Sequence, residues 1–339
     1  MGIKNPKRWL AATLIIIGVW FVLSLRPIPD SIDYGVSFSK FHSDELGLDW
    51  KKTYLAILDE LKVKRLRLSA HWPMVEPVAG KYNFSELDYQ LQEAEKRDAA
   101  VVLAVGRRLP GWPECHEPDW LRQSGSTANG QLPTADHKQE RILKYIEAVV
   151  RRYRNYPNLK YWQVENEPFL GFFGRSRCPK PDEKFLKQEI ALVRQLDPSR
   201  PIVITDSGEF GNWYRAYRNA DVFGSSMYLY VWSRALGPIR YPIGPSFFRV
   251  KQNLIDLIYG AKPKVLIELS AEPWLLKPIV ETPIELQLQR MGIDKFNETI
   301  NFARQSGFET QYLWGAEWWY WMKQRGQPEL WLEAKKILR

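Results

Sequence analysis

The chain has 339 residues, 45% hydrophobic and 26% charged, a balance that excludes a disordered or fibrous protein and supports a large core. Its formal charge of +9 falls partly at the N-terminus and otherwise forms no Lys/Arg block, which argues against a nucleic-acid partner and weakly for an anionic surface nearby. Two cysteines and four histidines without H-x-x-x-H spacing exclude a disulfide scaffold and give no support to a metal centre. Tryptophan is the outlier: 15 copies, as many as phenylalanine. That abundance suits either a ring-rich core or recognition of flat, amphipathic ligands such as sugars or bases.

Lys4, Lys7 and Arg8 precede an apolar run from Trp9 to Leu25, broken only by Thr13, Gly18 and Ser24. At about 1.5 Å per residue the run reaches roughly 26 Å, close to a bilayer core of about 30 Å. Trp9 and Arg26 are placed to anchor the two interfaces, and the basic flank predicts a cytoplasmic N-terminus with everything after Arg26 outside. A cleaved signal peptide is the competing reading. Against it, the run exceeds a usual h-region and closes on Leu-Ser-Leu-Arg-Pro, a poor cleavage site. Residues 1–30 are therefore expected to be a basic tip, a transmembrane signal-anchor and a short linker. Residues 31–339 are expected to form one domain on the extracytoplasmic side of the cell membrane.

From Asp30 onward, short apolar runs alternate with amphipathic stretches. The runs are 34–39, 64–69, 99–105, 159–164, 201–205, 221–228, 264–268 and 310–314. Between them, Trp50, Tyr54, Leu58 and Leu61 share one helical face, as do Ile142, Ile146, Val149 and Tyr153, and Leu186, Ile190 and Val193. Ser85 is a candidate cap for a helix carrying Leu87, Leu91 and Ala94, and a last helix runs from about Pro328 to Leu338. Eight strands alternating with helices predict an α/β fold, a (β/α)8 barrel preceded by one transmembrane helix. An open doubly wound sheet is the alternative, but no Gly-rich phosphate loop follows the first strand.

In such a barrel the C-terminal ends of the strands build the site. Here those ends collect carboxylates, arginines and aromatics. The sharpest segment is Tyr161-Trp-Gln-Val-Glu165-Asn166-Glu167-Pro168, where an apolar strand ends in two acids flanking an amide. Glycoside cleavage needs two carboxyl groups across the scissile bond, and an adjacent amide can bond the neighbouring sugar hydroxyl. The second acid is sought at another strand end. Glu268 closes the run 264–268, whereas Glu272 lies four residues on, in a loop where it could bind hydroxyls or brace the site. Glu209 and Glu317 are read as hydrogen-bonding or structural acids.

These segments resemble the retaining glycoside hydrolases of clan A, the cellulase/β-galactosidase-like superfamily of TIM barrels. Asn166-Glu167-Pro168 resembles the clan's acid/base segment after strand four, and Ile267-Glu268 its nucleophile at the end of strand seven. Arg65-Leu-Arg67-Leu-Ser-Ala-His-Trp72, followed by Glu76-Pro77, Gly80, Tyr82 and Phe84, is similar to the pattern around strand two. The resemblance implies that Arg67 and Tyr228 support the nucleophile and that Trp314 is a stacking platform under the reacting sugar. The sequence departs from the cellulase-like family after strand three, where a His pair is common and this chain has Gly106-Arg107-Arg108. Arginine forks there raise the prospect of an acidic glycan, the alternative being pairing with acids of the barrel rim.

The reading is thus a retaining β-glycosidase acting on an extracytoplasmic oligo- or polysaccharide, with Glu167 as acid/base, Glu268 as nucleophile, and no cofactor or metal. Asn166, Arg67, Tyr228, Trp314, Trp318 and Arg107 are the expected substrate-binding residues; Trp112, Trp274 and Trp319 are further stacking candidates. A glycan-binding cell-wall protein on the same barrel, or a transglycosidase using the same residues, are the alternatives. Cys115 and Cys178 fall in the loops after strands three and four, which are neighbours in a barrel, and an exported domain would favour their oxidation to a disulfide.

Overall fold

The computed structural model describes residues 18–111, 114–123, 135–171, 178 and 182–338. Ten strands lie among them: β1 Asp33–Ser37, β2 Arg65–Ser69, β3 Ala100–Val105, β4 Leu159–Val164, β5 Ile202–Asp206, β6 Val222–Met227, β7 Tyr230–Ser233, β8 Gly237–Arg240, β9 Lys264–Ser270 and β10 Thr310–Trp314. Eight of them close a parallel barrel in the order β1-β2-β3-β4-β5-β6-β9-β10, with β10 returning to β1. Its closing register pairs Asp33 with Thr310 and Ser37 with Trp314. The eight apolar runs read from the sequence are these eight strands. The pair β7–β8 is an antiparallel hairpin inserted after β6.

Strand β3, Ala-Val-Val-Leu-Ala-Val, is buried from its second residue on, as expected of a parallel strand covered on both faces. The large apolar cluster lies between the strands and the surrounding helices. A second, small cluster of Val102, Val203, Val222, Ile267 and Tyr312 draws one residue from each of five strands and is the barrel interior. In β2 the alternation is strict: Leu66 and Leu68 join the outer cluster, which turns Arg67 inward.

The helical faces also fold as the periodicity requires. Tyr54, Leu58 and Leu61 are buried, as are Ile142, Ile146, Val149 and Tyr153, and Leu186 and Val193. Asp49 caps helix Trp50–Asp59 by accepting from the Lys51 and Lys52 amides. Ser85 is not a cap: it is the first residue of helix Ser85–Glu95, and the Asn83 side chain accepts from its amide at 3.0 Å. An Asx-type bond two residues ahead thus does the work assigned to a serine.

Residues 1–17, most of the predicted membrane segment, lie outside the described residues, as does Trp112. Among the described residues no helix is long and apolar enough to cross a membrane. Residues 18–24 are helical, and Trp20, Phe21, Val22 and Leu25 are exposed. Arg26 ties this segment to the barrel through Asp256 at 3.0 Å, and Asn253 donates to the Leu23 carbonyl at 2.7 Å.

Candidate active site

Glu268 is not the last residue of its strand. It sits inside β9, and its side chain reaches the barrel mouth because the strand is irregular there. The pairing slips on both sides of it, against β6 between Ser225 and Ser226 and against β10 between Gln311 and Leu313. Leu266 and Leu269 both pack outward in the main core while Ile267 packs in the interior cluster. Three residues thus span what two would in a regular strand, and the extra one, Glu268, is re-aimed inward, the effect expected of a β-bulge.

Arg67 meets it there. The guanidinium, 1% exposed, donates Nη1 to Glu268 Oε2 at 2.6 Å, Nη2 to Asn166 Oδ1 at 2.7 Å and Nε to Gln163 Oε1 at 2.8 Å. The other Glu268 oxygen accepts from the Tyr228 hydroxyl. Asn166 Oδ1 also accepts from Thr205 Oγ1 at 3.2 Å and Gln163 Nε2 at 3.2 Å. With its oxygen so committed, the Asn166 amide presents its NH2 end as the donor for a ligand.

Glu167 lies in the loop after β4 with Oε1 accepting from Ser226 Oγ at 2.6 Å, while its own amide donates to Thr205 Oγ1 at 2.7 Å. Burial raises its pKa well above the usual carboxyl range, and the Glu268 charge and then Glu114 push the same way. Glu167, Glu268, Tyr228, Ser226, Glu114 and Trp274 line one cleft. The two acids therefore stand in opposed environments, one held by a cation and a phenol, the other kept proton-bearing by burial and a negative neighbour.

Glu165, two residues before Glu167, goes elsewhere. In a regular strand residues i and i+2 share a face, but Glu165 has φ 59° and Glu167 φ 45°, which breaks the alternation. Glu165 takes the amides of Arg107 and Arg108, each at 2.7 Å, and shares a buried hydrogen bond with Glu189. Gly106, at φ 121°, lies so close that an added Cβ would be 2.5 Å from Glu165 Oε1. Glu165 is thus the anchor of the loop after β3.

That loop uses its arginines internally. Arg107 pairs with Glu117 at 3.3 Å and Arg108 with Glu114 at 3.1 Å, so both engage rim acids, the alternative the sequence left open. Cys115 and Cys178 are disulfide-bonded, with Cα atoms 5.1 Å apart. Trp314 donates Nε1 to Glu272 Oε1 at 2.7 Å and stacks on His42. Glu272 also bonds His42 Nε2 at 2.9 Å; burial pushes His42 down, but the Glu272 carboxylate holds it well above its ordinary value. Glu272 is thereby a brace for the Trp314 ring, which is itself buried. Trp318, expected at the platform, is instead fully buried with Nε1 on Gln287 at 2.7 Å, and Trp319 is likewise a core residue bonded to the Ala271 carbonyl. Position on helix Ala316–Lys323, not in the preceding loop, turns both rings under the rim.

Gln163, Thr205, Ser226 and Glu114 are site residues that sequence reasoning did not single out. Gln163 was open to discovery, as a polar residue two before the acid segment in the buried second half of the strand.

Residues 48–233 match the family Glyco_hydro_42, described as Beta-galactosidase. The span includes Glu167 and ends before Glu268. Among curated proteins, the chain is 27% identical to the beta-galactosidase LacZ of Lactobacillus acidophilus over 134 residues, 37% of this chain and 20% of that protein. It is 25% identical to the beta-galactosidase BgaA of Clostridium cellulovorans over 173 residues, 48% and 26% of the two chains. A probable mannan endo-1,4-beta-mannosidase of Aspergillus niger matches at 26% over 134 residues, 38% and 32% of the two chains. The chain thus spans about a fifth to a third of these relatives. Among solved structures, the beta-galactosidase of Halorubrum lacusprofundi superposes with a TM-score of 0.56 at 16% identity, covering 84% of this chain and 52% of that one. Xylanase 10B of Thermotoga petrophila gives 0.52 at 14%, covering 87% and 84%. At these identities the structural likeness establishes the barrel fold.

Proposed function

The chain belongs to the Glyco_hydro_42 beta-galactosidase family, and from that membership we propose that it is a retaining β-glycosidase acting on an extracytoplasmic glycan. The observation that carries the reading is the pair of opposed carboxyl environments in one cleft. Glu268, oriented by Arg67 and Tyr228, attacks the anomeric carbon and forms a glycosyl ester as the bond to the leaving oxygen breaks. Glu167 donates its proton to that oxygen, which its raised pKa equips it to do near neutral pH. In the second half Glu167 takes a proton from water, the water oxygen attacks the same carbon, and Glu268 is released as a carboxylate. Asn166 bonds the hydroxyl beside the reacting carbon, and Trp314 supports the sugar face.

The N-terminal apolar run supports membrane anchorage with the barrel outside the cytoplasm, and the Cys115–Cys178 bond suits an oxidising compartment. The test is a panel of β-linked chromogenic galactosides, mannosides and xylosides with Glu268→Gln as control, the anomer of the first product being read by NMR. Glu268-dependent hydrolysis with retained configuration is expected. Inverted product, or equal activity in Glu268→Gln, refutes the mechanism.

A further inference from the structure

A second cavity, of about 190 Å³, opens beside the cleft and is lined by Tyr230, Val231, Pro238, Ile239, Arg240, Trp274, Arg290 and Lys295. It shares Val231 and Trp274 with the cleft that holds Glu167 and Glu268. Trp274 packs edge-on against Tyr228 with ring centroids 5.3 Å apart, and Tyr228 holds Glu268. Three elements build the walls: the β7–β8 hairpin, the loop after β9, and the junction of helices Ile284–Arg290 and Ile293–Arg304.

The walls carry three cations. Arg240 is neutralised by Glu298 at 2.6 Å. Lys295 donates to the Gln289 carbonyl at 2.8 Å and lies over the Tyr230 ring. Arg290 forms no ion pair among the described residues, and its Nε is shielded from water without a hydrogen-bond partner; its guanidinium rests on the Trp232 ring at 4.4 Å. Burial lowers the Lys295 pKa and Arg290 lowers it further, while the Glu298 charge raises it, so the two cations sense one another and share the carboxylate that pairs with Arg240. Three cations and the single Glu298 carboxylate, with Arg290 forming no ion pair among the described residues, leave the wall of this cavity short of an anion.

We propose that this cavity is a subsite for a sugar carrying an oxyanion, next to the sugar at the cleavage point. A carboxylate is the group that suits the Arg290 fork best, accepting from it in bidentate fashion with Lys295 as the second cation. The substrate class is then an acidic β-linked glycan. This rests on the glycosidase reading for the meaning of the neighbouring cleft, not for the binding itself.

The test is isothermal titration calorimetry on the full chain with glucuronate, galacturonate, their neutral parents glucose and galactose, galactose 6-sulfate, and inorganic sulfate. The acidic sugars should bind at least about 10-fold tighter than the neutral ones, and Arg290→Gln or Lys295→Gln should remove that margin, the range expected for one charge-assisted contact. Unchanged melting of both variants keeps the result from reflecting misfolding. A preference for galactose 6-sulfate over the uronates, lost in Arg290→Gln, supports the oxyanion subsite and identifies an ester as the source. Inorganic sulfate binding as tightly as any acidic sugar shows an adventitious ion only and overturns the proposal, as does equal binding of acid and neutral sugars. Hydrolysis separates the two readings: Glu268-dependent cleavage without Arg290-dependent acid preference sinks the subsite alone, and acid-sugar binding without Glu268-dependent cleavage sinks the glycosidase alone.

Discussion

Arg67 is the residue whose removal the structure prices most clearly. It is buried at 1% exposure and joins Glu268, Asn166 and Gln163 through three different nitrogens. Arg67→Met leaves the Glu268 carboxylate in the barrel mouth with a phenol but no cation. Losing one partner of a buried ion pair costs about 3–5 kcal/mol, because the remaining charge is uncompensated. Glu268→Gln removes the other partner and leaves the buried Arg67 guanidinium with amide acceptors alone, a loss of the same order, about 3–5 kcal/mol. In the double variant no unpaired charge remains, so the cost should fall short of the sum by about 2 kcal/mol, within the usual range for groups in contact. Urea unfolding at pH 7 measures all four corners of the cycle, and intact far-ultraviolet dichroism checks the fold. Arg67→Lys separates charge from geometry: an ammonium can reach Glu268 but cannot hold Asn166 and Gln163 as well, so stability should recover more than kcat does. Additive losses, or a Lys variant with wild-type turnover, would refute the claim that this guanidinium orients both acid-bearing strands.

Ser226→Ala should move the alkaline limb of kcat/KM to higher pH. The hydroxyl donates to Glu167 and favours its ionised form, so deleting it keeps the proton on longer; a shift to lower pH contradicts the acid/base assignment. Glu189→Gln should be tolerated, since burial keeps Glu189 protonated beside Glu165 and an amide can replace it as donor. Glu165→Gln should lose activity and about 1–3 kcal/mol, because its NH2 would then face one of the two backbone N–H groups that the carboxylate accepts; equal effects of the two variants on urea midpoints would contradict this polarity. Reducing Cys115–Cys178, which closes 63 residues, should cost up to about 4 kcal/mol, read as a lower melting temperature with loss of activity preceding unfolding. Stability should fall as pH rises from about 6.5 to about 7.5, above the range in which the buried His71 and His116, whose pKa values burial lowers, act in the opposite direction. Burial lifts Asp206 to about 6 and Glu209 and Glu317 to about 7, so the folded chain keeps protons that the unfolded chain has already released, and ∂ΔG/∂pH is negative there. A urea midpoint that climbs across this window refutes the assignment.

The barrel was legible because each strand is a short apolar run whose period and spacing are local properties of the chain. Arg67 and Tyr228 were found through motif position, and Cys115–Cys178 through the adjacency of consecutive barrel loops. What stayed hidden depends on partners distant in sequence. Trp318 and Trp314 differ by four positions, yet one sits in the core on Gln287 and the other bonds Glu272 and stacks on His42. Nothing in the local sequence separates them. The Arg107-Arg108 pair left two roles open, contacts to an acidic glycan or pairing with rim acids, because its partners Glu117 and Glu114 come back to it only when the loop folds on itself. The Arg240–Arg290–Lys295 cavity joins a hairpin to two helices more than forty residues away, a distance over which no pattern of charge can be read.

The placement of the two acids shows why backbone geometry, more than residue identity, makes the site. Regular pleating would send Glu165 and Glu167 to the same face and leave Glu268 without the inward turn that brings it to Arg67. Two departures correct this. Positive φ at Glu165 and Glu167, at a cost of about 1–3 kcal/mol each, separates a structural acid that ties down the loop after β3 from an acid that faces Ser226. The slip in β9 then brings Glu268 in from the opposite side. Each strained feature is held by bonds formed elsewhere: the Arg107 and Arg108 amides for Glu165, Thr205 and Ser226 for Glu167, Arg67 and Tyr228 for Glu268. Removing both side-chain holders of one acid together, Arg67 and Tyr228 for Glu268, should therefore relax the backbone toward regular pleating and draw its carboxylate out of the cleft, where losing one alone leaves it in place.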